Sequence, residues 1–351
     1  MSIQRRNTIV RGPAIVHLQW RTGTGTSNFH QYVFRTKGDV VFTPENQTFN
    51  VESSELGIID RRASELVRTV RFTPVGTIDA TGKDILWPHL AKLPGQSLFA
   101  AYDVECYIKP VAESSGTYEC IHLWNVAVTK MPDIIISAVQ TQIGEVEFRG
   151  IIDDNYDWGA DNHVSYCEDN DDLPTLDALN PSNILTTPGT VAWGTAMTDI
   201  KTAEGVRIGF EMDTQDEVED ETGVYDITLT GLRASARLTP VAGFDMSKLI
   251  DIMHENDGQL RGSSIYRNNL VVTSRDPGGL CVTLYGAALL SAPMTYGATA
   301  RRFGELVFEG VRGTGNAIAA VTIAGSSTRP SARPKVAAVD DDDGEGEGSG
   351  T

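Results

Sequence analysis

Cysteine is scarce: Cys106, Cys120, Cys167 and Cys281 are the only four in 351 residues, and none forms a Cys-x-x-Cys pair. That excludes a disulfide scaffold and argues for reduced, unpaired thiols. Cys106 and Cys120 facing each other on neighbouring strands is the alternative to a satisfied core thiol. Long apolar runs are missing too. No segment approaches the roughly 18 apolar residues of a membrane span, and the opening MSIQRRNTIVRGPAIV has no apolar stretch of signal-peptide length. A chain used outside any membrane, without membrane insertion, is expected. Basic charge is in deficit, with 29 Lys and Arg against 47 Asp and Glu and a formal net charge of -18. An acidic surface repels phosphate backbones and anionic membranes, which disfavours ordinary nucleic-acid binding.

Chemical motifs are equally sparse. Gly23 and Gly25 in RTGTGTSN lack both the third glycine of a dinucleotide loop and the Lys-Ser/Thr ending of a phosphate loop. The FHQYVFRT that follows alternates as a strand, so a hairpin tip is expected. In DDNYDWG, Asp153, Asn155 and Asp157 match the first three ligand positions of a calcium loop. Trp158 then stands where glycine is needed and Val164 where glutamate is needed, and a solvated acidic loop is expected instead. His17, His30, His89, His122, His163 and His254 have no partners at metal spacing; His163 with Cys167 is an isolated pair. No serine lies in a nucleophile signature. The chain is read as a non-enzyme with no catalytic, cofactor or metal residues and no cofactor.

What is abundant is strand and turn material: 34 glycines, 15 prolines and many Val, Thr and Ile. It is organised as a repeat. GIIDRRASELVRTVRFTPV, from Gly57, aligns without a gap on GVYDITLTGLRASARLTPV, from Gly223, 166 residues on. Gly57, Asp60, Leu66, Arg71, Thr73, Pro74 and Val75 meet Gly223, Asp226, Leu232, Arg237, Thr239, Pro240 and Val241. Upstream of each copy a strand runs into a polar, acidic loop. Downstream, Thr-Pro ends a strand and a short helix follows. In the second copy Met246, Leu249, Ile250 and Met253 share a helical face; in the first, Ile85, Leu86, Leu90 and Leu93 do, with Pro88 shortening the helix. GEVEFRG at Gly144 and GELVFEG at Gly304 close the copies.

The expected fold is mainly β (α+β), two tandem β-sandwich or barrel domains each with one short flanking helix. Residues 1–9 form an N-terminal arm, 10–150 the first domain, 151–184 an acidic linker with a strand at Val164 to Tyr166, 185–315 the second domain, and 316–351 a C-terminal extension with a disordered acidic tail.

TKGDVVFTPENQTFNVESSELGIIDRR...VRFTPVG resembles the major tail tube proteins of long-tailed bacteriophages. The resemblance covers roughly residues 10 to 150 and 185 to 315. It implies a virion structural protein assembled in the host bacterial cytoplasm, which polymerises with itself into stacked trimeric, pseudo-hexameric rings. These would form an acidic channel that passes DNA without specific binding. Tape measure, terminator and distal tail proteins are the implied partners. Thr43 to Gly57 and Glu211 to Gly223 occupy the place of the family's ring-stacking loop, and Arg5, Arg6 and Arg11 are further candidates for meeting an adjacent ring. The alternative is a tandem β-sandwich binding module for carbohydrate or a receptor. A lectin would gather aromatics on one face, whereas Trp20, Trp87, Trp124, Trp158 and Trp193 are scattered, with Trp87 and Trp124 at expected core positions.

Overall fold

A computed structural model describes residues 14–21, 29–75, 80–99, 104–110, 121–137, 141–151, 164–166, 190–195, 197–219, 223–241, 246–257, 265–273, 280–296, 301–311 and 321–325. The chain is mainly β. The first half contains β1 (Ala14–Arg21), β2 (Phe29–Thr36), β3 (Val41–Ser53), β4 (Gly57–Phe72), β5 (Pro74–Val75), α1 (Ala80–Leu86), a 3-10 turn (Pro88–Ala91), β6 (Gln96–Ser97) and β7 (Val104–Pro110). It continues with β8 (Ile121–Leu123), β9 (Val126–Lys130), β10 (Ile134–Ile136), β11 (Thr141–Ile143), β12 (Val146–Gly150) and β13 (Val164–Tyr166). The second half contains β14 (Thr190–Trp193), β15 (Met197–Ile200), β16 (Thr202–Glu219), β17 (Gly223–Pro240), α2 (Met246–Asp257), β18 (Arg267–Thr273) and β19 (Leu280–Ser291). It ends with β20 (Met294–Tyr296), β21 (Arg301–Phe303), β22 (Leu306–Glu309) and β23 (Val321–Gly325).

Alternation makes these strands. In β12 Val146 and Phe148 are buried between half-buried Glu147 and Arg149, and in β17 Leu232, Ala234, Ala236 and Leu238 point inward between exposed arginines. The first half has one sheet ordered β13-β8-β7-β1-β2-β5 and another ordered β3-β4-β12-β9. Apart from β5, the second half repeats both orders, as β23-β19-β18-β14-β15 and β16-β17-β22-β19. The registers correspond as well. Val146 lies opposite Phe72 and Leu306 opposite Leu238; Cys106 opposite Leu123 and Leu270 opposite Leu284; Val164 opposite Leu123 and Val321 opposite Leu284. Where β8 gives way to β9, Asn125 has φ 26°; in the second half the single strand β19 makes the same bend at Gly286, φ 54°.

The halves are not separate in space. β10 pairs with β16 and β6 with β17, so a sheet of 11 strands runs from the first half into the second. One hydrophobic cluster includes Leu18, Phe72 and Phe148 from the first half and Trp193, Leu238 and Phe308 from the second. Phe72 stacks on Phe148 at 5.7 Å, and Trp193 meets Phe308 edge-on at 5.0 Å.

Two expectations are corrected. Thr43 to Gly57 and Glu211 to Gly223 are not loops: Thr43 to Ser53 lies in β3 and Glu211 to Glu219 in β16. Each belongs to a long two-stranded arm, β3–β4 or β16–β17, whose ladder satisfies the backbone even where polar residues line both faces. Trp124 is 39% exposed rather than core, because it stands beside the bend at Asn125. Trp87 and Trp193 are buried. The helix of the first half ends at Leu86, and Pro88 opens the 3-10 turn, as its missing N–H dictates. Arg5, Arg6, Arg11, Gly23, Gly25, Cys120, Asp153, Asn155, Asp157, Trp158, His163, Cys167 and the acidic tail lie outside the described residues.

Candidate functional site

Among the described residues no group of three or more His, Cys, Asp and Glu is arranged to hold a metal ion, and no helix is long and apolar enough to cross a membrane. Cys106 is buried and faces Leu123 across the ladder, and the Cys281 thiol lies 3.6 Å from the Thr273 hydroxyl. A cleft of about 280 Å³ between α1 and the sheets is lined mainly by Leu18, Trp20, Ile85, Val104, Val126 and Phe148, with Asp84 at its edge. Thr81 and Asp84, both on α1, are the polar side chains of that lining.

The most elaborate arrangement is the seam between the halves. Pro132 and Asp133 lead into β10, which lies antiparallel to β16 with Ile134 opposite Ile208, Ile135 opposite Arg207 and Ile136 opposite Val206. Asp133 Oδ2 accepts from Arg207 Nε at 3.0 Å and Nη2 at 2.6 Å, a two-pronged ion pair. Gly205, φ 93°, sits in the bulge where β16 begins; a Cβ there would come within 2.1 Å of the Ile136 carbonyl oxygen. The close backbone approach therefore requires glycine. Further along the arm, Arg149 on β12 donates to both carboxylate oxygens of Asp216, at 3.3 and 3.1 Å. The Ser97 hydroxyl donates to Asp226 Oδ1 at 2.5 Å, and the Leu98 amide to the Ile227 carbonyl at 2.7 Å. Leu98, Ala127 and Ile151 bury Val224, Ile227 and Leu229 in a second apolar cluster. Lys92 donates to the Ser97 and Phe99 carbonyls, and burial lowers its pKa to about 8 against the opposing pull of Asp226.

The root of this seam is pinned from the 3-10 turn. Trp87 Nε1 donates to the Pro132 carbonyl at 2.9 Å and His89 Nε2 to the Val128 carbonyl at 2.7 Å. Burial lowers the pKa of His89 to about 4, and that of His17 likewise to about 4. Both histidines are thus neutral in the folded chain, and the unfolded chain binds more protons below about pH 6.5. Stability is expected to fall as the pH drops from about 6.5 toward 4, by about 1.4 kcal/mol per pH unit for each histidine. Urea unfolding at pH 7 and pH 5 checks this; equal midpoints would show that neither imidazole is held neutral by the fold.

The same parts occur a second time without being joined. β20–β21 repeats β10–β11: Met294 lies opposite Phe303 as Ile134 lies opposite Ile143, and the Gly304 amide donates to the Pro293 carbonyl as Gly144 does to Asp133, both at 2.7 Å. The arm β3–β4 repeats β16–β17, with Val41 opposite Arg71 as Arg207 is opposite Arg237. Among the described residues, however, β20 and β21 pair only with each other, and no strand lies on the outer edge of β3. Ile58 is 54% exposed, whereas Val224, its counterpart in the seam, is 8% exposed.

The sequence-based reading placed Thr43 to Gly57 and Glu211 to Gly223 at an interaction site; the described residues of these ranges lie on the two arms. It missed Asp133, Arg149, Arg207 and Asp216. Their ion pairs join residues 74 and 67 positions apart, so no local motif marks them. The available signal was the set of charged positions at which the two copies differ. No protein-family model matches the chain, and no curated protein matches it in sequence.

Proposed function

We propose that the chain is a tandem duplication that polymerises head to tail, as a tail tube protein of the two-domain type. The observation that supports this reading is the seam: each half carries a β-hairpin and a long arm, yet among the described residues only the hairpin of the first half and the arm of the second are joined. A second copy, seating its β20–β21 hairpin on the β3–β4 arm, repeats the seam between chains. Such a contact is heterologous and generates a closed ring or an open filament. The unprotected edge of β3 and the exposed Ile58 become buried in it, which removes an edge-aggregation hazard.

Following the tail tube resemblance, three chains supply six units per ring and the rings stack around a channel for DNA. The net charge of -18 suits a wall that passes a duplex without releasing its counterions. The turn joining β3 to β4, Ser54 to Leu56 with Leu56 78% exposed, is the proposed contact to the neighbouring ring. Assembly in the host cytoplasm, a place in the virion tail, and tape measure, terminator and distal tail partners belong to the same reading.

Negative-stain microscopy of the purified chain is expected to show hollow rings or tubes; a persistent monomer at high concentration would refute the proposal. The register is testable separately. By correspondence with Ile135 and Arg207, Thr295 of one copy faces Val41 of the next. Thr295→Cys combined with Val41→Cys is expected to give chain-to-chain disulfides on a non-reducing gel, since directly opposed residues bring their Cβ atoms to about 4.5–5.5 Å. An assembled protein that yields no such ladder has a different register.

A further inference from the structure

The two seams carry different charges, and the differences are paired. Arg149 on β12 lies opposite Thr69 and Ala127; its counterpart on β22, opposite Ser235 and Ala288, is Glu309. Asp216, which receives Arg149, lies opposite Ile227 on the second arm; the same place on the first arm holds Asn50 opposite Arg61, whose Nε donates to Asn50 Oδ1 at 3.2 Å. At the hairpin root, Asp133 is replaced by Pro293 and its partner Arg207 by Val41, so that an ion pair becomes an apolar pair. In both places the half that seats the hairpin and the arm that receives it change together.

Resting on the assembly reading above, we infer that Glu309 of one copy pairs with Arg61 of the next, and that this reversed polarity makes the halves alternate around the assembly. Seating a first-half hairpin on a first-half arm sets Arg149 against Arg61 and leaves Asp133 facing Val41. A second-half hairpin on a second-half arm sets Glu309 against Asp216 and deprives Arg207 of its carboxylate. Like charges and unpaired charges at an interface disfavour the wrong partner by more than the correct, partly exposed pair adds to affinity. The device therefore acts on specificity: it excludes joints between like halves and admits the joint between the second half of one chain and the first half of another.

The full-length chain serves for the test, with sedimentation velocity at low and high salt as the readout and thermal melting confirming that each variant is folded. Glu309→Arg and Arg61→Glu are each expected to raise the concentration needed for assembly by about tenfold or more at low salt, and by less at high salt. The double variant is expected to regain most of the loss. A mixture of the two single variants is expected to assemble as well, because Arg at 309 then meets Glu at 61 at one joint and the original pair meets at the next. Strict alternation of two kinds of chain cannot close a three-chain ring, so the mixture should give open or even-numbered species. If the wild type assembles and the single variants match it, or if the double variant is as impaired as the worse single one, the pairing is wrong while the assembly reading stands. A wild type that stays monomeric overturns both.

Discussion

Gly205→Ala is expected to lower the unfolding free energy by about 3–5 kcal/mol, the largest effect of any single methyl group in the seam. Alanine at φ 93° is strained by about 1–2 kcal/mol on its own. The added Cβ would also lie 2.1 Å from the Ile136 carbonyl oxygen and 2.6 Å from the Ser137 Cα, which are backbone atoms that a rotamer change cannot move aside. Relief requires β10 to leave β16, opening the ladder and stretching the Asp133–Arg207 pair. Gly38, in the approach to β3 one residue before the counterpart of Gly205, has φ 78° and nothing within 4 Å of a built Cβ. Gly38→Ala is therefore expected to cost only about 1 kcal/mol. Urea titration of both variants decides the matter: equal losses would mean that the seam is not packed as described.

Trp193→Ala is expected to be as damaging, by about 3–5 kcal/mol. The indole is fully buried at the centre of the second half, edge-on to Tyr266 at 5.1 Å and to Phe308 at 5.0 Å. Its Nε1 donates to the Ala287 carbonyl at 3.0 Å, so truncation leaves a cavity and an unsatisfied acceptor together. Trp193 occupies the place that Leu18 takes in the first half, as their pairings with Leu270 and Cys106 show. Equilibrium unfolding followed by fluorescence of the remaining tryptophans and by circular dichroism measures the loss, and a change below about 1 kcal/mol would remove Trp193 from the core.

The repeated Thr-Pro-Val sits where the architecture is most constrained. β4 ends at Phe72, and after Thr73 the chain crosses to the other sheet, where Pro74 and Val75 pair with Thr36 and Arg35. In the second half β17 ends at Pro240, opposite Thr202. FHQYVFRT and Val164 to Tyr166 were legible as strands by alternation and by β-branched content. The arms were not. Glu211 to Glu219 carries acidic residues on both faces, so the side-chain pattern disguised a ladder whose stability comes from its partner strand and, at the far end, from Leu98, Ala127 and Ile151 of the other half. The seam was illegible for a related reason. Its specificity resides in single residues, Asp133, Arg149, Arg207 and Asp216, and composition-level reading treats isolated charges as solvated surface.

The peptide connecting the two halves also gives the seam a kinetic and mechanical meaning. A contact within one chain forms at a local concentration in the millimolar range or above, whatever the concentration of the protein. The β10–β16 joint is thus already closed in a newly folded molecule, and in the proposed assembly only the joint between β20 and β3 would depend on encounter. In a closed assembly of the proposed kind, half of all the joints would be tethered. Rupture of that assembly would then proceed at the untethered joints and release paired halves, so the smallest subunit lost or added would already contain one finished contact.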